Sequence, residues 1–181
     1  MGIEIEKKYR LNSERQEQLR HRLTELGATK GGSEFEENTL YTGYGLDPQT
    51  RVLRLRRVEE RAILTYKERF VSESAIRHQR EDETAIENAD ALAAILDALG
   101  YTPALVYEKR RETWTFAGVE VVIDELPFGL YVEIEGDEDA IKGAEQLLKL
   151  SNVEAEHAAY PELTQRHGSK KGDLVEARFT K

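Results

Sequence analysis

The sequence runs to 181 residues, 39% of them hydrophobic and 34% charged, with a formal net charge of −9. That length predicts one domain with a substantial core, and the acidic balance argues against sequence-independent nucleic-acid binding, which needs a basic footprint. With no cysteine, disulfides, thiolate nucleophiles and cysteine zinc sites are excluded; no apolar run approaches the length of a membrane span and no secretory h-region opens the chain, so the expected location is cytoplasmic.

The chain opens on Ile3-Glu4-Ile5-Glu6-Lys7-Lys8-Tyr9. Its alternation predicts a strand with Ile3, Ile5, Lys7 and Tyr9 on one face and Glu4, Glu6 and Lys8 on the other. Ser13 is the expected N-cap of a first helix, with Gln16 at the capping-box position, Leu19, Leu23 and Leu26 on its buried face and Gly27 ending it. Lys30-Gly31-Gly32 reads as a loop, Glu34 to Tyr44 as an irregular strand and Gly43 to Pro48 as a turn. Alternation returns over Arg51 to Arg57, where Leu53 and Leu55 oppose Arg54 and Arg56, and Ala62 to Lys67 is its partner strand. Phe70 to Ser74 is expected as a loop, then Arg77 to Ile86 as a strand with Glu81 and Glu83 on one face.

Asn88 to Leu99 is a second predicted helix, with Leu92, Ile95, Leu96 and Leu99 as its stripe and Gly100 as its stop. Three strands follow in quick succession over Leu105 to Phe116, Val119 to Leu126 and Leu130 to Gly136. Asp137 or Asp139 starts a third helix that buries Ile141, Ala144, Leu147 and Leu148. Tyr160-Pro161-Glu162-Leu163 begins a short helix, and residues 168–181 are expected as a mobile tail on a single domain spanning 1–181. Short turns between most strands favour an antiparallel sheet, hence an α+β fold.

One face of that sheet is apolar, and the other is dense in both signs of charge. Left open, the charged face would be a solvated surface laced with weak ion pairs. Closed into a barrel of about eight strands, it would line an interior wide enough for one small ligand. Such an interior is costly unless a ligand or ions balance it. Grouped carboxylates suit a hard divalent cation, and arginines and lysines suit a phosphate chain. Metal plus phosphate is the combination that phosphoryl transfer requires.

Glu4-x-Glu6-x-Lys8 resembles the signature of the CYTH superfamily, the triphosphate tunnel metalloenzymes, which include class IV adenylate cyclases, thiamine triphosphatases and inorganic triphosphatases. The resemblance runs from residue 3 to about 163, through Leu53-Arg54-Leu55-Arg56, Thr65-Tyr66-Lys67, Glu81-Asp82-Glu83, Glu108-Lys109-Arg110-Arg111, Ile123-Asp124, Glu133-Ile134-Glu135 and Tyr160-Pro161-Glu162-Leu163. It implies a closed eight-stranded antiparallel barrel with a charged interior, flanked by three or more helices, acting on a triphosphate with Mg²⁺ or Mn²⁺. By the family pattern Glu4, Glu6, Glu133 and Glu135 would ligate metal, and Lys8, Arg54, Arg56, Lys67, Lys109 and Arg111 would clamp phosphates. Asp124, with Glu81 and Glu83, would serve a second metal, the attacking water or the orientation of basic residues. The catalytic residues are expected among Lys8, Glu6, Glu81 and Glu83.

Two positions depart from the pattern: Asn38 stands where relatives often have Asp, and Gln79 where an Arg often precedes the acidic pair. The resemblance implies a triphosphatase acting on tripolyphosphate, thiamine triphosphate or a nucleoside triphosphate. An adenylate cyclase and a non-catalytic triphosphate-binding module are the alternatives. The expected partner is the small-molecule substrate, with no nucleic acid and no membrane; a homodimer is compatible with such relatives.

Overall fold

The computed structural model describes residues 2–59, 61–70 and 75–180. Eight strands form a closed antiparallel barrel: β1 (Gly2–Leu11), β2 (Thr29–Thr42), β3 (Arg51–Val58), β4 (Arg61–Arg69), β5 (Arg77–Ile86), β6 (Thr102–Phe116), β7 (Val119–Leu126) and β8 (Gly129–Glu135). Around the barrel the order is β2-β3-β4-β5-β1-β8-β7-β6, and a long β2–β6 pairing from Thr29↔Thr115 to Thr42↔Thr102 closes it. Two short strands, β9 (Ser169–Lys171) and β10 (Leu174–Ala177), extend the sheet outside the barrel, with β10 parallel to β6.

The apolar face of the sheet turns outward, onto helices. Helices α1 (Ser13–Glu25) and α3 (Glu138–Leu147) contribute Leu19, Leu23, Ile141 and Ala144 to a cluster with Tyr9, Val121, Ile123, Val132 and Ile134 from the strands. Helix α2 (Ala89–Ala98) packs Leu96 against Tyr41, Leu55 and Ala62. Helix α4 (Tyr160–His167) closes one end of the barrel, where Tyr160 and Leu163 join Leu40, Tyr107, Leu126 and Tyr131. The inside is thereby left to the charged residues. Ile5 packs under the helices as expected, but Ile3 is 58% exposed at the end of its strand.

Several expectations change in detail: Ile95 and Leu99 of the second helix's stripe and Leu147 of the third helix are exposed, because each helix buries a narrower face than its apolar residues span. Asn12, not Ser13, caps α1, its side chain accepting from Arg15 N at 2.8 Å. Lys30-Gly31-Gly32 is strand, not loop: β2 runs through it with a register shift between Lys30 and Gly32, because β6 is long enough to supply partners that far. The stretch read as a tail carries β9 and β10, whose Val175 and Ala177 are buried against β6. The predicted loop reaching Ser74 lies largely outside the described residues, which omit 71–74. Among the described residues no helix is long and apolar enough to cross a membrane.

Candidate active site in a charged tunnel

Alternation along the strands decides what fills the barrel. Since β1 and β4 both pair antiparallel with β5, they run in the same direction. Their N-terminal halves, with the C-terminal halves of β5 and β8, form an end rich in carboxylates. Their C-terminal halves lead toward α4. The cavity between the two ends measures about 230 Å³, and its lining includes every basic residue singled out from the sequence.

At the acidic end Glu6 sits opposite Glu135 in the β1–β8 ladder, and Glu4 lies two residues back on the same face. One carboxylate oxygen from each of Glu4, Glu6 and Glu135 falls within 4.8 Å of the others. Such crowding penalises ionisation. Burial, with Glu133 and the other two acids adding to it against the Arg111 cation, pushes Glu135 up to about 8. Glu6 is raised by burial and by Glu133, with Arg77 and Lys8 opposing. Burial would raise Glu4 too, but the Lys67 ammonium, 2.6 Å from its Oε2, carries it below the ordinary value. Gln79 Nε2 donates to the same oxygen at 2.6 Å, so the position where an Arg is often expected holds a neutral donor here.

Glu81 and Glu83 stand on β5 at the same mouth. Glu81 is 3.0 Å from Lys67 and 3.7 Å from Arg54; burial, only partly offset by Lys67, pushes it up to about 7. Glu83 accepts from Thr65 Oγ1 at 2.7 Å and from Arg54 at 3.3 Å.

Deeper in, the cations and the remaining acids interleave. Lys8, 1% exposed, lies 3.1 Å from Glu133, donates to Ala158 O at 3.3 Å and sits 3.7 Å above the Tyr160 ring. Arg111 forks onto Asp124, Nε to Oδ1 at 2.8 Å and Nη2 to Oδ2 at 2.6 Å, and Nη2 also reaches Glu133 at 2.8 Å. Tyr160 donates its hydroxyl to Asp124 Oδ2 at 2.8 Å. Lys109 lies 3.4 Å from Asp124 and 3.5 Å from Glu36. Burial disfavours the charge on Glu133, yet Lys8, Arg111, Lys109 and Arg77 together hold it well below the usual carboxylate range.

The expected site residues therefore converge on one channel but divide by neighbourhood. Glu4, Glu6 and Glu135 form the carboxylate group. Glu133 and Asp124, expected beside metal, have their oxygens engaged by Lys8, Arg111, Lys109 and Tyr160. Arg54, Arg56, Lys67, Lys109 and Arg111 line the cavity together. Arg110 instead faces outward onto Glu125 at 3.2 Å.

Sequence reasoning missed Arg69, which also lines the cavity, and two residues packed among its charges. Glu36 is 1% exposed and sits among Arg56, Lys109 and Arg111, accepting from Asn38 Nδ2 at 3.1 Å. Arg77 places Nη2 2.8 Å from Glu6 and 3.6 Å from Glu133. Both obey the two-residue period, Glu36 through Asn38 and Arg77 through Gln79, so extending the inward face of β2 and β5 would have found them.

The donor set fits the groups expected of it. Three carboxylates with converging oxygens offer the hard ligands that Mg²⁺ and Mn²⁺ prefer. A cation there would also relieve the repulsion that keeps Glu135 protonated near neutrality. On the basic side, Nε of Arg54 is buried and lacks a hydrogen-bond partner among the described residues, a donor available to an anion, while Nε of Arg56 lies 3.5 Å from Glu36.

A family model described as the CYTH domain matches residues 2–160. No curated protein matches the chain. Among solved structures, the PH1012 protein of Pyrococcus horikoshii OT3 is 24% identical with a TM-score of 0.78, over 88% of this chain and 98% of that one. The PH1819 protein of the same organism is 28% identical with a TM-score of 0.71, over 91% and 99%. HpAC1 of Hippeastrum, a candidate adenylyl cyclase described as having a dominant triphosphatase activity, is 19% identical with a TM-score of 0.70, over 96% and 99%.

Proposed function

The chain belongs to the CYTH domain family, and from that premise we propose that it is a divalent-metal-dependent triphosphatase that hydrolyses a triphosphate inside its barrel. The observation that carries the reading is a single buried channel in which the Glu4, Glu6 and Glu135 carboxylates converge beside a bank of guanidinium and ammonium groups. Either half alone is a common structural feature. Together they match the two requirements of phosphoryl transfer: a metal to neutralise the phosphate chain, and fixed cations to hold it.

Glu4, Glu6 and Glu135 would hold Mg²⁺ or Mn²⁺, which when bound supplies charge neutralisation and polarises the phosphate oxygens. Arg54, Arg56, Lys109 and Arg111 receive the non-bridging oxygens, and Nε of Arg54, buried without a hydrogen-bond partner among the described residues, is a donor left for the substrate. Glu36, Asp124 and Glu133 keep those cations in place, so the site needs little reorganisation when the substrate arrives. Lys8 is fixed on three sides by Glu133, Ala158 O and the Tyr160 ring, and it stabilises charge that develops on the transferred group. Glu81 and Glu83, at the mouth beside Lys67 and Arg54, orient a water and receive its proton as its oxygen attacks the terminal phosphorus. The bridging P–O bond breaks, and orthophosphate and the shortened diphosphate leave.

The reading favours hydrolysis over cyclisation because of where the aromatic residues stand. Those lining the cavity among the described residues are Tyr107 and Tyr160, and both are buried toward α4. A purine seeking a stacking surface at the open mouth meets carboxylates instead. The triphosphatase activity described for HpAC1 points the same way. The test is to incubate the protein with tripolyphosphate, thiamine triphosphate or ATP, plus Mg²⁺ or Mn²⁺, and assay orthophosphate and cyclic AMP. Metal-dependent phosphate release is expected. Cyclic AMP from ATP would replace the reading with a cyclase, and tight binding without either product would replace it with a triphosphate-binding module.

A further inference from the structure

We propose that Arg69 forms an additional anion subsite at the α4 end of the tunnel, which takes a phosphoryl group beyond the third in a linear polyphosphate. The inference rests on the triphosphate reading above and extends it to longer inorganic chains.

Its basis is a mismatch in how the tunnel cations are paired. Eight lysines and arginines line the cavity. Seven have a carboxylate oxygen within ion-pair distance: Lys8 with Glu133 at 3.1 Å, Arg54 with Glu83 at 3.3 Å, Arg56 with Glu36 at 3.5 Å, Lys67 with Glu4 at 2.6 Å, Arg77 with Glu6 at 2.8 Å, Lys109 with Asp124 at 3.4 Å and Arg111 with Asp124 at 2.6 Å. Among the described residues, Arg69 has neither an ion pair nor a side-chain hydrogen bond. Burial disfavours its charge; among the charged groups around it Glu162 supports that charge most, and Arg77 adds repulsion.

Position makes this cation more than a loose surface arginine. Arg69 is two residues past Lys67 on the inward face of β4, a step of ~6.5–7 Å along the strand. Because β4 runs away from the acidic mouth, that step leads deeper, past the level of Arg54 and Arg56, which face Thr65 and Ile63 of the same strand. Arg77, Val52, Ala159 and Pro161 also line the cavity, and Glu162 of α4 is the acid that acts on Arg69 most. A cavity-lining guanidinium with no carboxylate in ion-pair contact suits an oxyanion, to which it can donate two parallel bonds. A chain already held by its first three phosphates would present a fourth along the same axis.

Calorimetric titration of the metal-free protein with tripolyphosphate and with tetrapolyphosphate tests the subsite by binding alone. Wild type is expected to bind tetrapolyphosphate about tenfold more tightly, the value of one further charge-assisted contact. Arg69→Gln should bring the two affinities within about twofold of each other, and Arg69→Lys should restore part of the gap. If Arg69→Gln fails to fold, Arg69→Met supplies the same comparison. Equal affinities in wild type, or a gap that survives Arg69→Gln, overturns the subsite while leaving the triphosphate reading intact. Failure of the wild type to bind tripolyphosphate overturns that reading, and the subsite falls with it.

Discussion

Glu135 carries the sharpest conflict between stability and binding at the level of single residues. It is buried beside Glu133, Glu4 and Glu6, and no cation lies within ion-pair distance of it among the described residues; its raised pKa records the cost. Glu135→Gln keeps its shape and removes the charge. The metal-free variant is expected to melt higher than wild type at pH 8.5, while its Mg²⁺ affinity falls by at least about tenfold. Paired thermal melts and metal titrations read both effects, and a lower melting temperature with unchanged metal affinity would take Glu135 out of the ligand set. Tyr160 makes a second test. Tyr160→Phe keeps the ring under Lys8 but deletes the hydroxyl donated to Asp124, so denaturant unfolding should show a loss of about 1–2 kcal/mol. No measurable loss would mean that Arg111 and Lys109 alone hold that carboxylate.

At the scale of elements, the opening strand was legible because period-two alternation is visible in seven residues, and Glu4, Glu6 and Lys8 all point into the tunnel. The same rule located Arg54 and Arg56, Lys109 and Arg111, and Glu81 and Glu83. It did not separate Glu133 from Glu135. Both face inward, and only the ladder, which sets Glu135 opposite Glu6 and Glu133 opposite Lys8, sends one to the carboxylate group and the other to the cations. The C-terminal strands were illegible for a different reason. A three-residue and a four-residue strand carry almost no periodic signal, and β10 exists because β6 has a free edge to pair with. Arg178 then ties Glu37 of β2 to Glu108 of β6 across the seam that closes the barrel. A chain ending at Gly168 is expected to keep the barrel but lose about 2–4 kcal/mol in denaturant unfolding, from losing the buried Val175 and Ala177 and exposing the part of β6 they cover. An unchanged midpoint would make β10 an ornament, and an unfolded product would make it part of the core.

For the whole molecule, the governing feature is a barrel turned inside out, with helices covering an apolar exterior and charge filling the interior. Burial raises Glu6, with Glu81 near 7 and Glu135 near 8, above the ordinary glutamate value of 4.5. The stability such groups contribute is fully present below the unfolded value and is lost as pH rises through the folded values. Glu4 and Glu133, shifted the other way, act at and below the ordinary value and leave that window alone. The metal-free melting temperature should therefore fall from about pH 5.5 to about pH 8.5, and Mg²⁺ should raise it most at the upper end. Because Glu135 must give up its proton to bind a cation, Mg²⁺ binding at neutral pH should release about one proton, measurable by calorimetry in buffers of different ionisation enthalpy. A melting temperature that rises across this range would contradict the assignment.

The most direct test of the central claim is a phosphorus NMR time course of tripolyphosphate with Mg²⁺, run on wild type and on Glu135→Gln in parallel. Orthophosphate and diphosphate should grow together in equal amounts with wild type, fail to form when Mg²⁺ is chelated, and form at least about a hundredfold more slowly with the variant. Intact tripolyphosphate after prolonged incubation with wild type, or equal rates from the two proteins, would contradict it.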